Sequence, residues 1–457
     1  MKKNNGLRTV ATVLSMTLAA TLAQTAQAAI TEEEAARLGA DLTPVGAERA
    51  GNADGSIPEW TGGLTQVPDG WQRGEDRPDF FAGEKPTVVI TADNMAEHAD
   101  RLTEGMKAML KQYPEFRIPV YPTHRTAAWP EYVYENIRQQ ATQAKFAADG
   151  DALENVWGAV PFPIPQNGKE VIRNHQTRFV GTYREVPSAV ENTLYNNGQR
   201  LEWTFSNQVH FTYYDPNVSA ADREQGMMWK YSSTMLSPSR DSGEGILLLE
   251  GLNPTVNPRQ AWTYDPGERR VRRAPNFAFD TPDRPVNTID DYDMFNGSLE
   301  RYDFKLLGKR EMYVPYNNNE LNKTTHSIEE TYQLPVINSD LTRYELHRVW
   351  VVEASLKPDA RHIYSKRVFY VDEDTWTILA TDKYDNNGNL WRVAYHYPVT
   401  APEVPVTAGG IWVHYDLKVG AYYSLMGVQG QKVAQVFDGQ PPESSYYSSA
   451  AMRRRGR

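Results

Sequence analysis

The sequence contains no cysteine, which excludes disulfides and thiolate metal sites. A chain of 457 residues must then be held together by its core alone, and that length is enough to bury one. The short catalytic signatures are also missing: no G-x-S-x-G elbow, no H-E-x-x-H helix, no phosphate loop and no G-x-G-x-x-G strand-to-helix turn. Positive charge is in deficit. The formal net charge is −10, which disfavours nucleic acid as a partner. Beyond Leu22 no long apolar run recurs, so no membrane-spanning helix is expected.

The first residues carry an address. Lys2, Lys3 and Arg8 precede an apolar run of 13 residues from Val10 to Leu22, and Ala26-Gln27-Ala28 is a small-x-small cleavage site. Residues 1–28 therefore read as a secretory signal peptide, cleaved before Ala29. No cysteine stands at that point, so lipid anchoring by the lipoprotein route is excluded. Loss of three basic residues takes the mature chain to about −13.

What is abundant is aromatic and turn-forming: 11 Trp, 26 Tyr, 31 Gly and 29 Pro point to many strands and ordered loops. Thr31 to Leu38 reads as a short capped helix, and Leu42 to Leu64 as an irregular arm anchored by Ile57 and Trp60. Amphipathic spacing predicts helices over Met95 to Tyr113 and Tyr132 to Ala148. Trp157 to Pro165 must be extended, because alternating prolines forbid a helix. From about Phe179 the pattern is β. Its clearest part is Leu346 to Tyr397, where Asn387-Gly388 marks a hairpin. In the last of these strands Trp391, Val393, Tyr395 and Tyr397 share one face, and Arg392, Ala394 and His396 the other. The expected organisation is an arm with helices over 29–165, an antiparallel sheet over 166–437 and a disordered Arg-rich tail over 438–457.

Residues that could carry chemistry are scattered. Of nine histidines, His396 and His414 could meet across strands and hold a metal with Asp416. We read them instead as ordinary strand histidines and expect neither metal nor cofactor. The acid pairs Asp290-Asp291 and Glu329-Glu330 read as solvated charge rather than a general acid–base pair. Arg269, Arg270, Arg272 and Arg273 form a candidate anion or partner contact, or pair with the chain's own excess carboxylates. Arg453 to Arg455 read as a solubilising tail or an anionic-membrane contact. Eight strand aromatics are candidates for the wall of a hydrophobic cavity: Trp203, Phe205, Trp262, Tyr264, Trp350, Phe369, Trp391 and Trp412.

Four segments together resemble one family. LTPVGAERAGNADGSIPEWTGGL at Leu42 to Leu64, PFPIP at Pro161 to Pro165, AWTYDPGERRVRRAP at Ala261 to Pro275 and VPYN at Val314 to Asn317 are similar to a poorly characterised Gram-negative periplasmic family. That family is related in fold to the lipoprotein carriers LolA and LolB. The resemblance implies an α+β, β-dominated fold: a large, curved, half-open antiparallel β-barrel with N-terminal helices over its mouth. It also implies a lipid or other lipophilic ligand, and partnership with an RND-type inner-membrane exporter and an outer-membrane β-barrel protein.

The reading that follows is a soluble, non-catalytic periplasmic carrier moving a hydrophobe between the two membranes. The alternatives are a structural subunit of an envelope transport complex and an envelope hydrolase. The last would need two facing carboxyls in a cleft.

Overall fold

The fold is that of a computed structural model in which residues 30–254, 256–274 and 280–455 are described. The expected signal peptide and its cleavage point lie outside these residues. The helices are short: α1 (Glu32–Ala35), α2 (Glu104–Gln112), α3 (Glu131–Gln140), α4 (Gly168–Thr177), α5 (Ala220–Glu224), α6 (Ile328–Thr331) and α7 (Ser449–Arg455). The first strands are β1 (Val88–Ile90), β2 (Ile118–Val120), β3 (Lys145–Phe146) and β4 (Leu153–Glu154). A first meander follows: β5 (Tyr183–Tyr195), β6 (Arg200–His210), β7 (Met227–Ser237), β8 (Gly245–Gly251), β9 (Gln260–Asp265) and β10 (Arg270–Arg273). Next come the small hairpin β11 (Pro282–Arg284) and β12 (Asn287–Thr288), and the long strand β13 (Tyr302–Pro315). The second meander is β14 (Tyr344–Leu356), β15 (Lys366–Asp372), β16 (Ile378–Tyr384), β17 (Leu390–Ala401), β18 (Val406–Asp416) and β19 (Ala421–Gly427).

Both meanders belong to one sheet of 15 strands. Its order is β1-β2-β14-β15-β16-β17-β18-β19-β5-β6-β7-β8-β9-β10, with β13 paired to β14. The join between meanders is the antiparallel pair β19–β5. The architecture is therefore β-dominated α+β, as expected, and among the described residues the strand order runs from β1 to β10 with no ladder joining the two ends. The Asn387-Gly388 hairpin forms where the sequence places it: Gly388 takes φ +79°, and Asp385 accepts from Gly388 N and Asn387 N.

Each face of the sheet is covered. On one face Val393, Tyr395 and Tyr397 join Val349, Val351 and Val413 beneath Met106, Met109 and Leu110 of α2. On the other, Ala394, Phe369 and Trp412 pack with Val133 and Ile137 of α3, Val171 and Ile172 of α4, and Leu38, Leu42 and Val45 of the arm. Ile57 and Trp60 anchor that arm, Trp60 donating to the Ala127 carbonyl at 2.8 Å.

Local structure departs from expectation in four places. The helix over Met95 to Tyr113 is two: 3-10 turns over Met95–Arg101, then α2, because Leu102 is extended and Thr103 caps a new start by accepting from Met106 N. The helix expected over Tyr132 to Ala148 ends at Gln140, and β3 follows. Helix α4 was not foreseen, although Asn167 accepts from Glu170 N in an ordinary cap. Residues 444–455, expected to be disordered, fold as a 3-10 turn and α7 instead. Tyr447 and Met452 are the reason, since they bury against Leu247 and Tyr264 of the sheet. No helix among the described residues is long and apolar enough to cross a membrane.

The fully buried Trp376 ties the arm to the sheet. Its Nε1 donates to the Val45 carbonyl at 3.1 Å, and its ring stacks on Trp350. Trp376→Ala is expected to lower stability by about 3–5 kcal/mol. The shift of the urea midpoint checks this, and limited proteolysis should show residues 42–47 released first.

Candidate functional site

The face beneath α3 and α4 carries an unusual amount of charge. Arg367 of β15 and Lys383 of β16 are completely buried, and Arg392 of β17 and His414 of β18 nearly so. Arg392 pairs with Asp416 of the neighbouring strand at 2.9 Å. The other two cations are met from outside the sheet. The segment 282–296 crosses this face and sets Asp290 and Asp291 against it.

The segment is built to present those two carboxylates. β11 and β12 pair only with each other. Thr288 then starts a single 3-10 turn, Ile289–Asp291, with its hydroxyl placed to donate to either Asp290 Oδ1 at 2.8 Å or Asp291 Oδ2 at 2.9 Å. Asn296 closes the loop by donating to the carbonyls of Ile289 and Tyr292. Val286, Ile289, Met294 and Phe295 bury as apolar ballast.

At the contact, Arg367 Nη2 donates to both oxygens of Asp290 at 2.9 and 2.8 Å. Lys383 Nζ lies 2.6 Å from Asp291 Oδ1. Tyr364 donates to Asp291 Oδ2 at 3.0 Å, and His362 stands 3.1 Å from Asp290 Oδ2. Burial opposes ionisation of both acids, but Arg367 holds Asp290 below the ordinary range, and Lys383 with Arg367 holds Asp291 well below it. Burial likewise brings the Lys383 ammonium down to about 8 and keeps the His414 ring neutral. Asp290 and Asp291 are thus the reverse of solvated loop charge.

Six of the eight aromatics expected to wall a cavity gather around this face. Phe205, Phe369 and Trp412 are buried in its core cluster, and Trp350 packs against it. Phe295 of the segment packs at a tilt against Phe369, with centroids 5.2 Å apart. Arg284 of the segment lies over Trp203 at 4.6 Å; Trp391, expected on the face of Val393, instead meets Tyr364 and lies under Arg392 at 4.4 Å, because the β16–β17 register shifts beside it. Trp262 and Tyr264 are elsewhere, in the small cluster under α7. A separate groove of about 220 Å³ is lined by Glu115, Arg117, Gln333 and their neighbours, and by none of the eight.

The remaining candidates separate. Arg269, Arg270, Arg272 and Arg273 are all exposed, and Arg272 pairs with Glu268. His396 and His414 do not converge on Asp416: His396 Nε2 donates to the Gly409 carbonyl at 2.6 Å, and His414 Nδ1 faces Lys383 at 3.1 Å. Three other buried groups, His347, Asp372 and Asp374, do bring ligand-type atoms within 4.8 Å of one another. There, however, Arg125 already donates to both oxygens of Asp374 at 2.9 and 2.7 Å, setting a fixed cation beside the ligand a metal would share. Burial and the neighbouring Asp374 push the Asp372 carboxyl up to about 7.

Comparison with known proteins adds the following. The model of a family described as "Protein of unknown function (DUF1329)" matches residues 89–453. An uncharacterized protein of Pseudomonas aeruginosa, PA3922, is 42% identical over 453 residues, which is 97% of this chain and 97% of that one. The crystal structure of a DUF1329 family protein from Desulfovibrio piger aligns with a TM-score of 0.41 at 15% identity, over 62% of this chain and 97% of its own. A LolA superfamily protein from Nitrosomonas europaea aligns with a TM-score of 0.36 at 12% identity, over 63% of this chain and 100% of its own.

The depressed acids give a pH dependence of definite sign. Asp290 and Asp291 ionise in the folded chain below their ordinary 3.8, so their contribution is full above that value and is lost as pH falls through the folded values. Asp291→Asn should lower stability at neutral pH by about 3–5 kcal/mol, because Lys383 is left buried without its partner. The same variant should show a shallower loss of stability on acidification. Urea titrations from about pH 3 to 7 measure both effects.

Proposed function

The chain belongs to the DUF1329 family, and from that premise we propose that it is a non-catalytic periplasmic carrier of a lipophilic molecule. The observation that carries this reading is the cover on the aromatic face. The segment 282–296, whose hairpin pairs with no strand of the main sheet, sets Phe295 against Phe369, and Phe205 and Trp412 bury in the same core cluster. Such a cover can be displaced without breaking the sheet's ladder of hydrogen bonds, and the face beneath it then accepts an apolar guest. The family resemblance in four sequence segments supports the same reading. It supplies the working hypothesis that cargo passes between an RND-type inner-membrane exporter and an outer-membrane β-barrel protein.

The energetics suit transfer. Burying about 14 methylenes of a sixteen-carbon chain gains roughly 11 kcal/mol at ~0.8 each. Association and ordering costs of about 4–15 kcal/mol offset much of it. Displacing the segment weakens binding further, since only the open fraction of molecules takes up ligand. A cargo held in this way is shielded from water and can still be handed on.

A second reading, a docking subunit of an envelope complex, is favoured by one observation. Helix α7 packs against the edge formed by β8, β9 and β10, so Arg453 to Arg455 stand on the same end of the molecule as Arg269 to Arg273. On a chain of net charge −10 this is a concentrated basic end, suited to an acidic surface.

Native mass spectrometry of the mature chain, purified from periplasm without detergent, separates the two. The carrier reading expects an adduct that extracts as a lipid or other hydrophobe, or saturable uptake of a fluorescent fatty acid. A bare mass together with no uptake would overturn it. Crosslinking in cells would then be expected to join the basic end to a membrane partner.

A further inference from the structure

Resting on the carrier reading, we propose that the ligand is an anionic lipophile. Arg367 and Lys383 form the site for its carboxylate or phosphate, and Asp290 and Asp291 occupy the position of that group.

The charges on this face motivate the assignment. Arg392 and Asp416 neutralise each other within the sheet, which leaves Arg367 and Lys383 as two surplus cations, both fully buried. Buried unpaired charge is strongly disfavoured, at several kcal/mol per ion. Two consecutive carboxylates from a segment outside the sheet supply the balance. A face meant only to be covered would need neither pair. Apolar residues of similar volume would pack there at no electrostatic cost.

The fit of Asp290 to Arg367 is also incomplete. Only Nη2 of the guanidinium donates a hydrogen bond to a carboxylate; Nη1 stands 3.8 Å from Asp291 Oδ1, and both Nε and Nη1 are buried with no hydrogen-bond acceptor. A guanidinium offers five donors in a fixed fork, and carboxylates and phosphates that reach both arms are its preferred partners. A ligand anion approaching along the sheet could use donors that the segment leaves idle. Around this charged spot lie Phe369, Tyr364 and Trp391, with the Arg367 guanidinium 4.8 Å from the Tyr364 ring; Phe295, 5.2 Å from the same guanidinium, belongs to the segment and departs with it. The arrangement is a polar anchor at the edge of an apolar floor, which an amphipathic anion matches in both its parts.

The segment can leave without breaking a strand pairing of the main sheet, although its departure also parts Asp293 from Arg178 and His175 of α4 and Arg284 from Glu191 of β5. Its hairpin is self-paired, and its contacts to the sheet are side-chain ion pairs, hydrogen bonds and apolar packing. An incoming phosphate monoester can replace the charge of both Asp290 and Asp291, and a carboxylate that of one, so the sheet cations regain full compensation from the first and partial compensation from the second. A neutral lipophile of the same length offers no such replacement.

The test uses the mature chain and three probes sharing one acyl chain: hexadecanoate, its methyl ester, and the corresponding lysophosphatidate. Either anion is expected to bind about tenfold or more tightly than the ester. Amide hydrogen exchange should rise across residues 282–296 on anion binding, while β14 to β18 stay protected. A preference for the fatty acid or for the lysophospholipid identifies which source of the anion is recognised. Lys383→Gln should bring anion and ester affinities together. That substitution leaves Asp291 buried without its partner, so the exchange measurement on the unaltered chain stands as an independent readout. Equal affinity for anion and ester, or anion binding with residues 282–296 still protected, would overturn the proposal and leave the carrier reading intact. Binding of none of the three would remove both.

Discussion

Two cations buried in the sheet, Arg367 and Lys383, set the constraint from which the rest of this face follows. A guanidinium and an ammonium withdrawn from water need compensation close by, and the sheet's own acid Asp416 is already taken by Arg392. The compensation comes from Asp290 and Asp291, and much of segment 282–296 serves to hold them there. Thr288 orients the carboxylates, Asn296 closes the loop, and Val286, Met294 and Phe295 bury with it. Ion pairs of this kind are weak evidence for stability, but they specify position. An apolar loop could settle on the same face in many registers, whereas two facing charge pairs admit one.

The two faces of the sheet are accordingly different surfaces. Under α2, tyrosines and β-branched residues pack as an ordinary core, with Asp382 accepting from Gly105 N to seat the start of the helix. Under the segment, aromatic and charged side chains are interleaved. Period-two alternation produces both from the same strands: β17 sends Val393, Tyr395 and Tyr397 one way and Arg392, Ala394 and His396 the other. A carrier needs this asymmetry. The carrier reading draws on it by keeping one face closed to hold the molecule together and proposing that the cover on the other face moves.

How much was legible depends on the range of the interaction. Strands, the Asn387-Gly388 hairpin and the arm anchored by Ile57 and Trp60 were readable, because turn chemistry and alternation act between near neighbours. Alternation placed the strand aromatics on one face or the other, but parity could not say which side of the sheet would be which. Helix α4 was missed behind the prolines before it, with Asn167 and Glu170 as the signal that would have found it. Tyr447 and Met452 looked like part of a loose tail, since nothing near them in the chain is apolar enough to bury them. Their partners Leu247 and Tyr264 lie far back in the sequence.

The sequence by itself determined the β-dominated plan, the absence of covalent crosslinks and the family to which the chain belongs. Each of these is written in composition, in local spacing or in short contiguous motifs. Only the tertiary structure decided where Asp290 and Asp291 lie and what they meet. In the chain they are a hydrophilic pair in a proline-bearing loop. Asp290 meets Arg367 across 77 residues of sequence, and that meeting is what turns exposed charge into buried charge. Burial and pairing are properties of a place in the fold, and no local pattern encodes whether a distant cation will be waiting there.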